Sequence, residues 1–100
     1  MPAKIAIDRE RVADFCKRHG IRRLSLFGSV LTDRFGPDSD VDVLVEFERG
    51  RRAGYFTMGR LIVELSELFG RHVDVRTPME ISPHFRQRVL DDAEVQYAAA

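Results

Sequence analysis

This sequence lacks an excess of charge of either sign, long apolar runs, and more than a single cysteine. Sixteen Lys and Arg against sixteen Asp and Glu leave a formal net charge of zero. Nothing global therefore draws the chain to nucleic acid or to an anionic membrane, and a nucleic-acid contact would need a local basic patch. The apolar runs are only a few residues long, so no segment reads as a membrane span. Met1-Pro2-Ala3-Lys4 does not lead into the apolar stretch of a signal peptide, and the expected address is cytoplasmic. The lone Cys16 has no partner for an internal disulfide, and its place beside Val12 and Phe15 on a helical pattern makes it a small buried hydrophobe. There is no internal repeat and no low-complexity tract.

One hundred residues suit one domain, 1–100, with one core that removes on the order of 60–70% of the unfolded chain's surface from water. Asp8 reads as the N-cap of a first helix over 9–19, which Gly20 stops. Residues 22–27 alternate as a strand, and Gly28-Ser29 opens a short helical turn through about Arg34. A loop over 35–39 precedes a second strand, 40–47, with Val41, Val43, Val45 and Phe47 on one face and Asp40, Asp42, Leu44 and Glu46 on the other. The connector 48–54 carries Arg49, Arg51 and Arg52 and reads as a solvated charged segment. A long amphipathic helix over 55–69 stops at Gly70. Residues 72–76 read as a third strand with Asp74 opposite its valines. Ser82-Pro83 starts a last helix to about Asp92, and Val95-Gln96-Tyr97 reads as a strand-like tail. The expected fold is α+β, a small mixed β-sheet with helices packed on one face and the other face left for a site.

The chemistry concentrates in Gly28-Ser29 followed, after ten intervening residues, by Asp40-Val41-Asp42. Gly28 lets a phosphate approach bare backbone, and Ser29 offers its hydroxyl and N–H. Two carboxylates two apart on a strand share a face and can hold a divalent cation against that phosphate, and Asp74 on a neighbouring strand would be the third. Three converging carboxylates repel one another without a cation, so the cluster makes sense chiefly as a metal site. His19, His72 and His84 lack ligand spacing and read as satisfied or surface residues.

The segment Leu24 to Phe47, LSLFGSVLTDRFGPDSDVDVLVEF, with the later HVDVRTP, resembles the minimal nucleotidyltransferase (MNT) domains of the DNA polymerase β-like superfamily. That resemblance implies the nucleotidyltransferase fold, two Mg²⁺ (or Mn²⁺) ions held by Asp40, Asp42 and Asp74, and ATP as substrate. Asp74 would ligate the acceptor-side metal and help remove the acceptor's proton. Gly28 and Ser29 would bind phosphate. Relatives often place an arginine directly after the serine; here Val30-Leu31 stand there, and Arg34 is the nearest replacement. The resemblance further implies an antitoxin that transfers AMP to a tyrosine of a helical HEPN-type ribonuclease toxin. Two other readings stay open: a module that neutralises its partner by contact, and a nucleotidyltransferase for a small molecule or nucleic acid that works with a separate substrate-binding subunit. A homo-oligomer is compatible with either.

Overall fold

The computed structural model describes residues 5–50 and 55–99. Helix α1 spans Arg9–His19; Asp8 caps it by accepting from the Arg11 N–H at 3.2 Å, and Gly20 ends it in the left-handed region at φ 66°. Strand β1 follows over Ile21–Phe27, then a 3-10 turn over Gly28–Leu31 that is shorter than the helical turn expected through Arg34. Strand β2 covers Val41–Phe47, with Asp40 just outside its first residue rather than within it. Helix α2 (Tyr55–Phe69), strand β3 (Val73–Arg76), a second 3-10 turn (Pro78–Glu80), helix α3 (Pro83–Asp92) and strand β4 (Glu94–Ala98) complete the order. The strand-like tail is thus a full sheet member. Arg51 and Arg52 of the connector lie outside the described residues, and Arg49 is exposed.

The sheet runs β3-β2-β1-β4. β1 pairs antiparallel with β2 and with β4, while β2 pairs parallel with β3. A parallel pair requires a crossover, and α2 is that crossover. The apolar stripes of α1 and α2 close one face of the sheet: Phe15, Leu61 and Leu65 meet Leu24, Leu26 and Val43, all fully buried. Between the two helices, Glu64 accepts from Arg18 Nη1 at 3.3 Å and lies 3.1 Å from His19 Nε2. Burial disfavours the charged form of Glu64, but the His19 and Arg18 contacts outweigh it and set its pKa below the usual value. Tyr97 packs against the same core.

The opposite face is not bare. Ser25 and Leu44, cross-strand partners, are buried there. At the end of that face where β1 stops and β2 and β3 begin, Asp42 and Asp74 are only partly buried. Among the described residues no helix is long and apolar enough to cross a membrane.

Burial pushes the Cys16 thiol up to about 12. Thiolate is the reactive form, so a thiol reagent at pH 8 should label the native protein at least ~10²-fold more slowly than the denatured chain. Rapid labelling of the native protein would place Cys16 outside the core.

Candidate active site

Register builds the site. Phe27, the last residue of β1, pairs with Asp42 on β2, and Asp42 pairs with Asp74 on β3. Adjacent strands lie about 4.8 Å apart, so the two carboxylates are neighbours in one row, and Gly28 follows at the end of that row. Val41 and Val43, flanking Asp42, are fully buried, and Val73 and Val75 flank Asp74 in the same way. The alternation that packs the valines inward turns both acids outward.

Gly28 has φ 77°, a conformation that side chains rarely adopt. A Cβ there would collide with Asp42 Oδ2. The glycine expected to admit a phosphate thus first makes room for the carboxylate beside it. Ser29 lies in the 3-10 turn, and its carbonyl accepts from Thr32 N at 2.9 Å and Thr32 Oγ1 at 2.9 Å, which fixes the turn.

Each acid has its own environment. Asp42 is partly buried, and its pKa is raised, first by desolvation, then by Asp74 and by Asp40, with Arg76 acting in the opposite sense. Asp74 accepts from Arg76 Nη2 at 3.1 Å. Asp40 Oδ1 lies 3.2 Å from His72 Nδ1, and the Val41 N–H donates to the His72 carbonyl at 3.0 Å. Among the described residues no three His, Cys, Asp or Glu side chains are gathered into a metal-binding group. Asp40 and Asp74 face their own cationic or hydrogen-bonding neighbours, and Asp42 stands between them. The donor set nonetheless suits a hard divalent cation, since every candidate ligand is a carboxylate and their mutual repulsion is the quantity a cation would relieve.

Three features of the site carry no motif in the sequence. Arg71, just past α2, donates from Nη1 to the Gly36 carbonyl at 2.9 Å and the Ser39 carbonyl at 3.2 Å, and its guanidinium sits 4.4 Å from the Phe35 ring centroid. It therefore fixes the loop that delivers Asp40 to β2. Arg76 is visible in sequence only as the end of a strand. Beside the 3-10 turn, a cleft of ≈740 Å³ runs from Gly28 and Ser29, past Arg34, to Phe85 and Arg88 of α3. Arg34, expected to answer phosphate, therefore does share a cleft with Gly28 and Ser29.

Residues 9–95 match the sequence profile of the nucleotidyltransferase domain. The chain belongs to that family. It is therefore a nucleotidyltransferase, and its fold is the nucleotidyltransferase fold. It is 35% identical over 85 residues to a Methanocaldococcus jannaschii protein named "Putative protein adenylyltransferase", covering 85% of this chain and 89% of that one. A solved structure named "putative minimal nucleotidyltransferase" superposes with TM-score 0.70 at 40% identity, covering 85% of both chains. A toxin-antitoxin structure solved with AMP-PNP superposes with TM-score 0.73 at 16% identity over 93% of this chain and 75% of that one, which shows a shared fold. The same holds for an MNT antitoxin in complex with a tri-AMPylated Shewanella oneidensis HEPN toxin, with TM-score 0.65 at 16% identity over 91% and 70% of the two chains.

For this nucleotidyltransferase the raised pKa of Asp42 fixes the sign of a pH effect. The folded state holds that proton more tightly than the unfolded chain, so the stability it contributes is present at low pH and is lost as pH rises through the interval above the ordinary Asp value. Without divalent cation, Asp42→Asn should raise Tm at pH 7. The gain should shrink towards pH 3. A gain equal at both pH values, measured by thermal melts, would contradict this origin.

Proposed function

We propose that this nucleotidyltransferase transfers AMP from ATP to a hydroxyl of a protein acceptor, a tyrosine of a HEPN-type ribonuclease toxin, and so acts as an antitoxin. The observation that carries the reading is the row of Asp42 and Asp74 beside Gly28. Support for a protein acceptor comes from the 35% identical relative's name, and support for the toxin from fold neighbours that are antitoxins in HEPN complexes.

In this reading Gly28 and Ser29 receive the phosphate chain. Asp40, Asp42 and Asp74 would hold divalent cations, Mg²⁺ or Mn²⁺, with Asp40 and Asp74 giving up their His72 and Arg76 contacts in part. Such cations supply neutralisation of the triphosphate and activation of the acceptor hydroxyl. Asp74 accepts the hydroxyl proton; the freed oxygen forms its bond to the α-phosphorus, and the bond from that phosphorus to the bridging oxygen of pyrophosphate breaks. Arg76 positions Asp74 for this through its hydrogen bond. Arg71 keeps the 35–39 loop, and with it Asp40, in place. The whole of 1–100 acts as one catalytic domain.

The Asp40→Asn/Asp42→Asn double variant tests this. It removes two charges at constant shape, so fold and partner contact should persist while AMP transfer falls below about 1% of wild type, on the scale of losing a preorganised electrostatic group. Mass spectrometry of the toxin after incubation with ATP and Mg²⁺ should show additions of AMP mass with the wild type alone. Neutralisation by both proteins with no added mass in either case would replace catalysis with inhibition by contact.

A further inference from the structure

The Gly-Ser turn is followed by Val30 and Leu31, both buried, so no cation stands immediately after Ser29. The cleft that begins at Gly28 and Ser29 meets its positive charge elsewhere: Arg34 and Arg88 of α3 both line it. Among the described residues no hydrogen bond or ion pair engages either guanidinium group. Other cationic side chains nearby are committed, as Arg71 is to the 35–39 loop and Arg76 to Asp74. Arg86 is committed too, donating to the Pro78 carbonyl at 2.8 Å and the Ile81 carbonyl at 3.1 Å.

Those Arg86 bonds anchor α3 to the second 3-10 turn, while α3 itself buries no residue. This helix is held in place without contributing to the core. The face it turns to the cleft carries Phe85, 59% exposed, with Arg88 one turn on. Two unpaired guanidinium groups facing a cleft that opens on bare backbone are arranged for an anion. Asp91 and Asp92 lie further along α3 on the same cleft; Asp91 Oδ1 is taken by Gln87 Nε2 at 2.8 Å. The volume, ≈740 Å³, accommodates a triphosphate.

We infer that Arg88 of α3, which shares the cleft with Arg34, binds the terminal phosphates of the nucleoside triphosphate and stabilises departing pyrophosphate, replacing the cation missing after Ser29. The inference rests on the nucleotidyl-transfer reading of the site. It assigns α3 a role in substrate binding that packing does not require.

The test is calorimetric titration of the full chain at fixed salt and Mg²⁺ with ATP, inorganic tripolyphosphate and AMP. Because Arg88 is exposed and α3 buries no side chain, Arg88→Gln should keep the wild-type circular dichroism spectrum. ATP and tripolyphosphate should each bind that variant at least tenfold more weakly, AMP should bind it unchanged, and Arg88→Lys should recover part of the loss. Wild-type affinity for ATP in Arg88→Gln, with ATP binding lost in Asp42→Asn, would overturn the assignment of Arg88 and leave the nucleotide site standing. Equal weakening of AMP and ATP would put Arg88 on the base or sugar and also overturn it. No ATP binding by the wild type would defeat the nucleotide reading itself.

Discussion

Strand register is the constraint on which everything else depends. β2 is pinned between β1 and β3 with Val41, Val43 and Val45 fully buried. Each such side chain stabilises the fold by about 1.5–3 kcal/mol relative to exposure. A slip of one residue would turn Asp42 into the core and the valines out, adding the still larger cost of burying a charge without a partner. Hydrophobic burial thus holds Phe27, Asp42 and Asp74 in one row. The site is placed by the core, and its central acid is disfavoured first by that burial and then by the neighbouring Asp74 and Asp40, as the raised pKa of Asp42 reflects.

Much of this was legible in the sequence because the signals are local. Asp8 and Gly20 bracket α1 through one side-chain acceptor and one left-handed residue, features a single position can encode. The period of two in β2 gives the sidedness of Asp42 directly. Gly28 is expected from sequence to admit a phosphate, and the structure shows a further need for its missing side chain: a Cβ would meet Asp42 Oδ2, a contact that exists only once β1 and β2 are paired. Ser25 and Leu44 show the same limit. Alternation assigns them to the site face, but only the assembled sheet shows that this part of the face is closed.

What the sequence concealed are the arginines. Arg71, Arg76 and Arg88 have no motif, and each takes its meaning from a partner far away in the chain or across a cleft. Arg71 reaches back 35 residues to Gly36. Arg88 lines the cleft of the Gly-Ser turn from α3, a helix that Arg86 ties to the second 3-10 turn. Long cationic side chains act at the end of flexible stems, so their sequence position says little about where their charge arrives. The nucleotidyltransferase family membership and the carboxylate row agree on the chemistry; the arginines distribute the countercharge around it.

The central claim is that one nucleotide site spans the carboxylate row and the Gly28-Ser29 turn. Its most direct measurement is a crystal structure of the protein with Mn²⁺ and AMP-PNP, using anomalous scattering to locate the metal. The account predicts manganese bound to Asp42 and to at least one of Asp40 and Asp74, with the phosphates against Gly28 and Ser29. Ordered nucleotide away from that row, or manganese with no carboxylate from it, would contradict the account.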